Sequence, residues 1–233
     1  MIRVIELFAG IGAQAAALDR IGAEWESVGI VEIDPYCVTA YNAIHGTNWE
    51  PSDITKIEKL PECDLLTYSF PCTDISTAGK QKGLGEGSGT RSSLLWEVYR
   101  LLTAYTDGGG NLPKYLLMEN VKALVGKRFK PDFDKWLDKL KELGYTTYWK
   151  VLNATDYGVP QNRERVFAIS ILHDDEGYEF PDPVPLRKKL KDVLEPEVDP
   201  KYYISVDAIH SRLESNFTHR NRSIIRGGGF AEP

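Results

Sequence analysis

Two hydrophobic rhythms alternate along most of the chain. Short apolar runs predict strands at residues 3–8, 26–31, 64–69 and 114–118, and period-two alternation predicts two more at 145–152 and 166–172. Helical stretches lie between them. Residues 13–21 carry three consecutive alanines, then Leu18 and Ile21, and residues 35–45 open on Pro35, a favoured first-turn residue. Residues 92–105 place Leu94, Leu95, Val98, Leu101 and Leu102 on one face. Residues 131–143 turn Phe133, Trp136, Leu137 and Leu140 inward and end at Gly144. Repeated strand–helix units predict an α/β fold with a mostly parallel sheet and right-handed crossovers. After Leu172 the pattern breaks at Pro181, Pro183, Pro185, Pro196 and Pro200. This predicts a main domain over 1–180 and a linker with the start of a second region over 181–233.

Composition narrows the class. The chain has 233 residues, 42% of them hydrophobic, enough for one good-sized domain. No window approaches the ~20 apolar residues of a membrane span, and the first residues are too charged for a signal peptide. Cys37, Cys63 and Cys72 form no CxxC pair, and the four histidines are scattered. These features predict a reducing, cytoplasmic setting, no disulfide framework and no metal. The net charge of −6 argues against a general nucleic-acid coat protein, so a nucleic-acid surface must be local.

The candidate chemistry gathers at strand ends. Cys72 follows Pro71 where the strand at 64–69 gives way to a glycine-rich segment, residues 79–89. Pro71 fixes φ before the cysteine and biases Phe70 to extended geometry. A lone cysteine is by default a small buried hydrophobe; the rest of the chain changes that. Phe8, Gly10 and Gly12 lie between the first strand and first helix, where glycines let a ligand approach the backbone. The third glycine of a dinucleotide pattern is Ala15 here, which favours a mononucleoside ligand. Glu32 stands about twenty positions on, where a ribose hydroxyl pair is held; a solvated strand-end carboxylate is the plainer use. Asp53 could accept from an exocyclic amine or cap a turn, and alone the cap is the better account. Glu119 ends a strand beside Asn120 and Val121 and, if shielded, could both donate and accept a proton. Arg163 and Arg165, two apart on an extended segment, share a face and suit a phosphate or base carbonyl; in isolation, a salt-bridge cluster with Glu164 explains them.

In this order and spacing, Phe8 to Gly12, Glu32, Pro71-Cys72, Glu119-Asn120-Val121 and Gln161 to Arg165 resemble the DNA (cytosine-5)-methyltransferases of bacterial and phage type. Residues 90–97 look like the same branch. The resemblance spans about residues 3–172. It implies a Rossmann-like class I S-adenosylmethionine-dependent methyltransferase fold, a twisted sheet with helices on both faces. It implies transfer of a methyl group from S-adenosylmethionine to C5 of a flipped-out cytosine in double-stranded DNA, through a covalent Cys72–C6 adduct, leaving S-adenosylhomocysteine. Cys72, Glu119, Arg163 and Arg165 are the implied catalytic set. Phe8, Gly10, Gly12, Glu32, Ile33, Asp53, Ile54 and Pro71 are the implied donor site, and residues 79–89 the implied lid. Thr73 stands where many relatives carry glutamine. The basic tail, with Arg212, Arg220, Arg222 and Arg226, reads as the opening of a target-recognition region, lacking the C-terminal motifs that such enzymes carry. A second chain supplying them is therefore an expected partner, and restriction–modification the expected context.

Three other functions compete. A non-catalytic or split-subunit DNA-binding remnant is favoured by the shortened end and disfavoured by the intact Cys72, Glu119 and Arg165. An RNA cytosine-5 methyltransferase shares the fold, but the Cys-Phe-Thr tripeptide of that branch is absent. A nicotinamide oxidoreductase leaves Pro71-Cys72 without a use.

Overall fold

The structure is a computed structural model that describes residues 1–75, 83–85, 87–174 and 176–211. Six strands, β1 (Ile2–Leu7), β2 (Trp25–Val31), β3 (Leu65–Tyr68), β4 (Tyr115–Val121), β5 (Tyr145–Asn153) and β6 (Glu164–Leu172), form one sheet in the order β2-β1-β3-β4-β6-β5. The β1–β2, β1–β3 and β3–β4 pairings are parallel, while β6 runs antiparallel to β4 and β5. The chain leaves β1 for β2 on one side and later returns to place β3 on the other. That reversal opens a crevice at the carboxyl ends of β1 and β3, where ligands of open α/β sheets bind.

The helices α1 (Ala13–Arg20), α2 (Pro35–His45), α3 (Leu95–Asp107) and α4 (Lys130–Glu142) divide between the faces. Inward residues of α3 and α4 pack with Ile5, Leu7, Leu66, Tyr68, Met118 and Val166 in the main core. Trp136 anchors that layer. Its indole Nε1 donates to the Tyr68 hydroxyl at 3.2 Å, and its ring meets Tyr68 and Trp96 edge-on. On the opposite face, Ala15 of α1 and Val38 and Tyr41 of α2 form a smaller core with Ile30. Pro35 opens α2 as expected, with Asp34 accepting from the Tyr36 amide at 2.9 Å, and Gly46 closes it in the left-handed region.

Two boundaries differ from the sequence pattern. β4 does not stop at Met118 but continues through Glu119, Asn120 and Val121, because these pair with Phe167, Val166 and Arg165 of β6. For the same reason β6 begins at Glu164, so Arg165 lies in the strand rather than before it.

The chain divides into two compact units, Met1–Arg187 and Lys188–Pro233. The second holds short 3-10 turns at Leu190–Val193 and Pro200–Tyr202 and a helical run at 206–211. The arginines expected to form the basic tail lie outside the described residues.

Candidate active site

The loop from β1 into α1 bends where the glycines predict. Phe8, Gly10 and Gly12 all have positive φ, at 57°, 56° and 83°. Gly10 has open space where a Cβ would stand, whereas a Cβ on Gly12 would collide with the His45 ring and Tyr41. Gly10 is therefore open to a ligand, and Gly12 is required for close packing of the loop on α2. Beneath the loop, the fully buried Glu6 accepts from the Tyr41 hydroxyl at 2.6 Å and the Ala15 amide at 3.2 Å.

A cavity of about 230 Å³ opens beside this loop. It is lined by Phe8, Glu32, Ile33, Asp53, Ile54 and Pro71, together with Leu94 and Ser69. Six residues of the expected donor site thus come together from four separate parts of the chain. The Glu32 carboxylate accepts from the Gly10 and Asp34 amides, each at 2.9 Å, so it also braces the glycine loop. Asp53 caps the turn Ile54–Lys56: its Oδ1 accepts from the Thr55 amide at 3.0 Å and the Thr55 hydroxyl at 2.9 Å. Those bonds hold its carboxyl below the usual range. The turn cap and the cavity wall are the same residue, so both readings of Asp53 hold geometrically. An aromatic face, two carboxylates and an open glycine backbone are the donor set that a nucleoside with a charged tail requires, so these residues fit S-adenosylmethionine.

A second cavity, of about 690 Å³, shares Phe8 and Ser69 with the first. Glu119 and Arg163 line it, with Gly10 and Gln14 from the loop and α1. Apart from Thr67, its remaining wall is apolar, including Leu18, Ile21, Leu65, Leu117 and Phe167. Glu119 and Arg165 form an ion pair across β4 and β6, with Arg165 Nε 3.0 Å from Glu119 Oε1 and each side chain 23% exposed. Burial raises the Glu119 pKa above the usual carboxylate range, and the nearby Arg165 and Arg163 charges oppose that rise without cancelling it.

Cys72 is half-buried at the edge of the main core and lines neither of these two cavities, although Pro71 beside it lines the smaller. Its loop is tied down by contacts that the sequence pattern does not reveal. Asn120 Nδ2 donates to the Phe70 carbonyl at 2.9 Å, and Ser92 Oγ donates to the Pro71 carbonyl at 2.8 Å. Asp74 accepts from the Arg91 amide at 2.9 Å. Of the glycine-rich segment expected to be a lid, residues 79–82 and 86 lie outside the described residues. The described part is anchored, with Leu84 fully buried and its carbonyl accepting from Trp96 Nε1 at 2.8 Å.

Among the described residues, no group of His, Cys, Asp or Glu could hold a metal ion, and no helix is long and apolar enough to cross a membrane.

Comparison with known proteins gives one consistent result. The profile of the family described as C-5 cytosine-specific DNA methylase matches residues 2–227. Type II methyltransferase M2.ScrFI of Lactococcus lactis subsp. cremoris is 40% identical over 88% of this chain and 70% of its own length. Orphan methyltransferase M.SssI of Spiroplasma monobiae is 36% identical over 93% of this chain and 69% of its own. Among solved structures, S. pombe Dnmt2 methyltransferase superposes with a TM-score of 0.72 at 23% identity, covering 92% of this chain and 67% of that one. That likeness concerns the fold.

Proposed function

The chain belongs to the C-5 cytosine-specific DNA methylase family, whose reaction is methylation of cytosine at C5, and from that premise we propose which of its residues carry each step. One observation supports the assignment above the others. The cavity that holds Glu119 and Arg163 also takes in Phe8 and Gly10 of the donor loop, so proton transfer and methyl donor meet in one space.

Cytosine C5 is a weak nucleophile and needs activation. The Cys72 thiolate attacks C6, forming an Sγ–C6 bond and pushing the C5–C6 π electrons into the ring. Protonated Glu119 gives its proton to N3 as that charge arrives, and holds the exocyclic amine. Arg165 orients Glu119 and binds O2, while Arg163 supports the loop or a phosphate. C5, now an enamine carbon, takes the methyl group. Loss of the C5 proton to solvent restores the double bond and expels the thiolate, and the N3 proton returns to Glu119. S-adenosylmethionine, when bound, supplies the methyl group from a positively charged sulfur. Phe8 would stack on its adenine, Glu32 would hold the ribose, and Asp53 would hold the adenine amine. Ile33, Ile54 and Pro71 would enclose it, and Gly10 would leave it room. The cytosine must leave the duplex to reach Cys72, at a cost of a few kcal/mol.

The pH dependence follows from Glu119. Its protonated form is the active one, so its contribution is full below its pKa and is lost as pH rises through it. Arg163 lowers that pKa. The Arg163→Gln variant is expected to shift the alkaline limb of the single-turnover rate to higher pH, whatever it does to the maximum. A limb that stays or moves down removes Glu119 as the proton donor.

Double-stranded DNA is the partner in this reading.

The function is tested by methyl transfer from labelled S-adenosylmethionine to mixed-sequence duplex DNA and to transfer RNA. Label at C5 of cytosine in DNA alone is expected. Label in transfer RNA alone would favour the RNA enzyme, and no label with the donor bound would favour the remnant.

A further inference from the structure

The nucleophile's loop is held by one hydroxyl at two points. Ser92 Oγ donates to the Pro71 carbonyl at 2.8 Å and accepts from the Asp74 amide at 3.3 Å. The first contact precedes Cys72 and the second follows it, so the hydroxyl bridges the segment that carries the thiol. The Pro71 carbonyl belongs to the peptide plane that joins Pro71 to Cys72. Its direction sets ψ of Pro71 and φ of Cys72, and with φ of Pro71 already fixed by its ring, the direction of the Cys72 side chain. Ser92 is fully buried, so no water can replace its hydroxyl without rearrangement. Neighbouring contacts share the work. Asn120, 2% exposed, fixes the Phe70 carbonyl, and Asp74, 9% exposed, binds the Arg91 amide at the start of the turn that bears Ser92.

We propose that Ser92 is a positioning residue for Cys72: its hydroxyl clamps residues 71–74 so that the sulfur is presented to the base. The inference rests on the reading of Cys72 as the nucleophile. Because catalytic geometry tolerates little error, a shift of about 1 Å in a reacting group can cost about 100-fold in rate.

The test uses duplex DNA bearing 5-fluorocytosine with S-adenosylmethionine, and follows the single-turnover rate of adduct formation, donor affinity and thermal melting together. Ser92→Ala is expected to slow adduct formation about 10- to 100-fold, with donor affinity within about twofold and melting lowered by only a few degrees, since the Pro71 carbonyl and the Asp74 amide lose a buried partner. Ser92→Cys, nearly the same shape but a weak donor, is expected to fall between serine and alanine and to keep the fold. Wild-type rates in both variants would overturn the inference while leaving Cys72 as nucleophile. A rate loss that follows equal losses in donor affinity and melting would also overturn it, since the hydroxyl would then only support the fold. A wild-type chain that forms no adduct would overturn the Cys72 reading, and this inference with it.

Discussion

Replacing Cys72 with serine is expected to lower methyl transfer to DNA by about 10,000-fold or more, the scale on which loss of a catalytic nucleophile is felt. The reason is chemical. A serine hydroxyl is not ionised near neutral pH, and as an alkoxide it would be a poor leaving group in the last step, whereas a thiolate both attacks and departs readily. Donor affinity should stay within about twofold, because the donor cavity is walled by Pro71 and not by Cys72. The loss therefore belongs to the chemical step, with the donor KM nearly constant. A single-turnover assay beside a donor-binding titration checks both halves. A Cys72→Ser protein within tenfold of wild type would mean that C5 is methylated without covalent activation at this residue.

Glu119→Gln is the second large effect. Glutamine keeps the size of the side chain and can still accept from Arg165, which now lies 3.0 Å from Glu119 Oε1. It cannot give a proton to N3. General acid catalysis contributes about 100- to 10,000-fold, and the variant should lose a factor in that range. The alkaline limb of the pH profile should vanish with it, because the group whose deprotonation sets that limb is gone. The limb is the more discriminating readout, since a merely structural glutamate would leave it in place. A variant that is slow but keeps the limb would assign the proton to another group.

Both effects concern residues that the sequence presents openly, and the reason is local. Cys72 follows a proline at a strand end, and Glu119 lies in a short polar break after an apolar run. The helices at 35–45 and 131–143 were legible for the same kind of reason: Pro35 opens one, and inward Phe133, Trp136 and Leu140 define the other. What the pattern misplaced depends on contacts between distant segments. Glu119 and Asn120 read as the end of a strand because polar residues interrupt the run. They remain in β4 because β6, more than forty residues later, pairs with them. Ser92 and Asn120 hold the Cys72 loop across 21 and 50 residues of chain from Pro71 and Phe70. No local signal carries a tertiary hydrogen bond. Gly12 shows a further limit. Its sequence position points to a ligand, while the structure sets it against Tyr41 and His45. Spacing marks where a glycine is needed but not which neighbour needs it.

The fold thus supplies each part of the proposed chemistry with its own support. The switch point between β1 and β3 places the donor loop beside the cysteine loop. Burial of Glu119 raises its pKa toward the range where it can donate. The turn ahead of α3 holds the backbone on either side of Cys72.

The most direct test of this account is covalent trapping. The purified chain is incubated with S-adenosylmethionine and mixed-sequence duplex DNA containing 5-fluorocytosine, in which fluorine at C5 blocks the final elimination. The products are then mapped by mass spectrometry under denaturing conditions. The account predicts a denaturant-resistant adduct on the peptide that contains Cys72, absent from Cys72→Ser. An adduct on Cys37 or Cys63, or none on a chain that is folded and binds the donor, would contradict it.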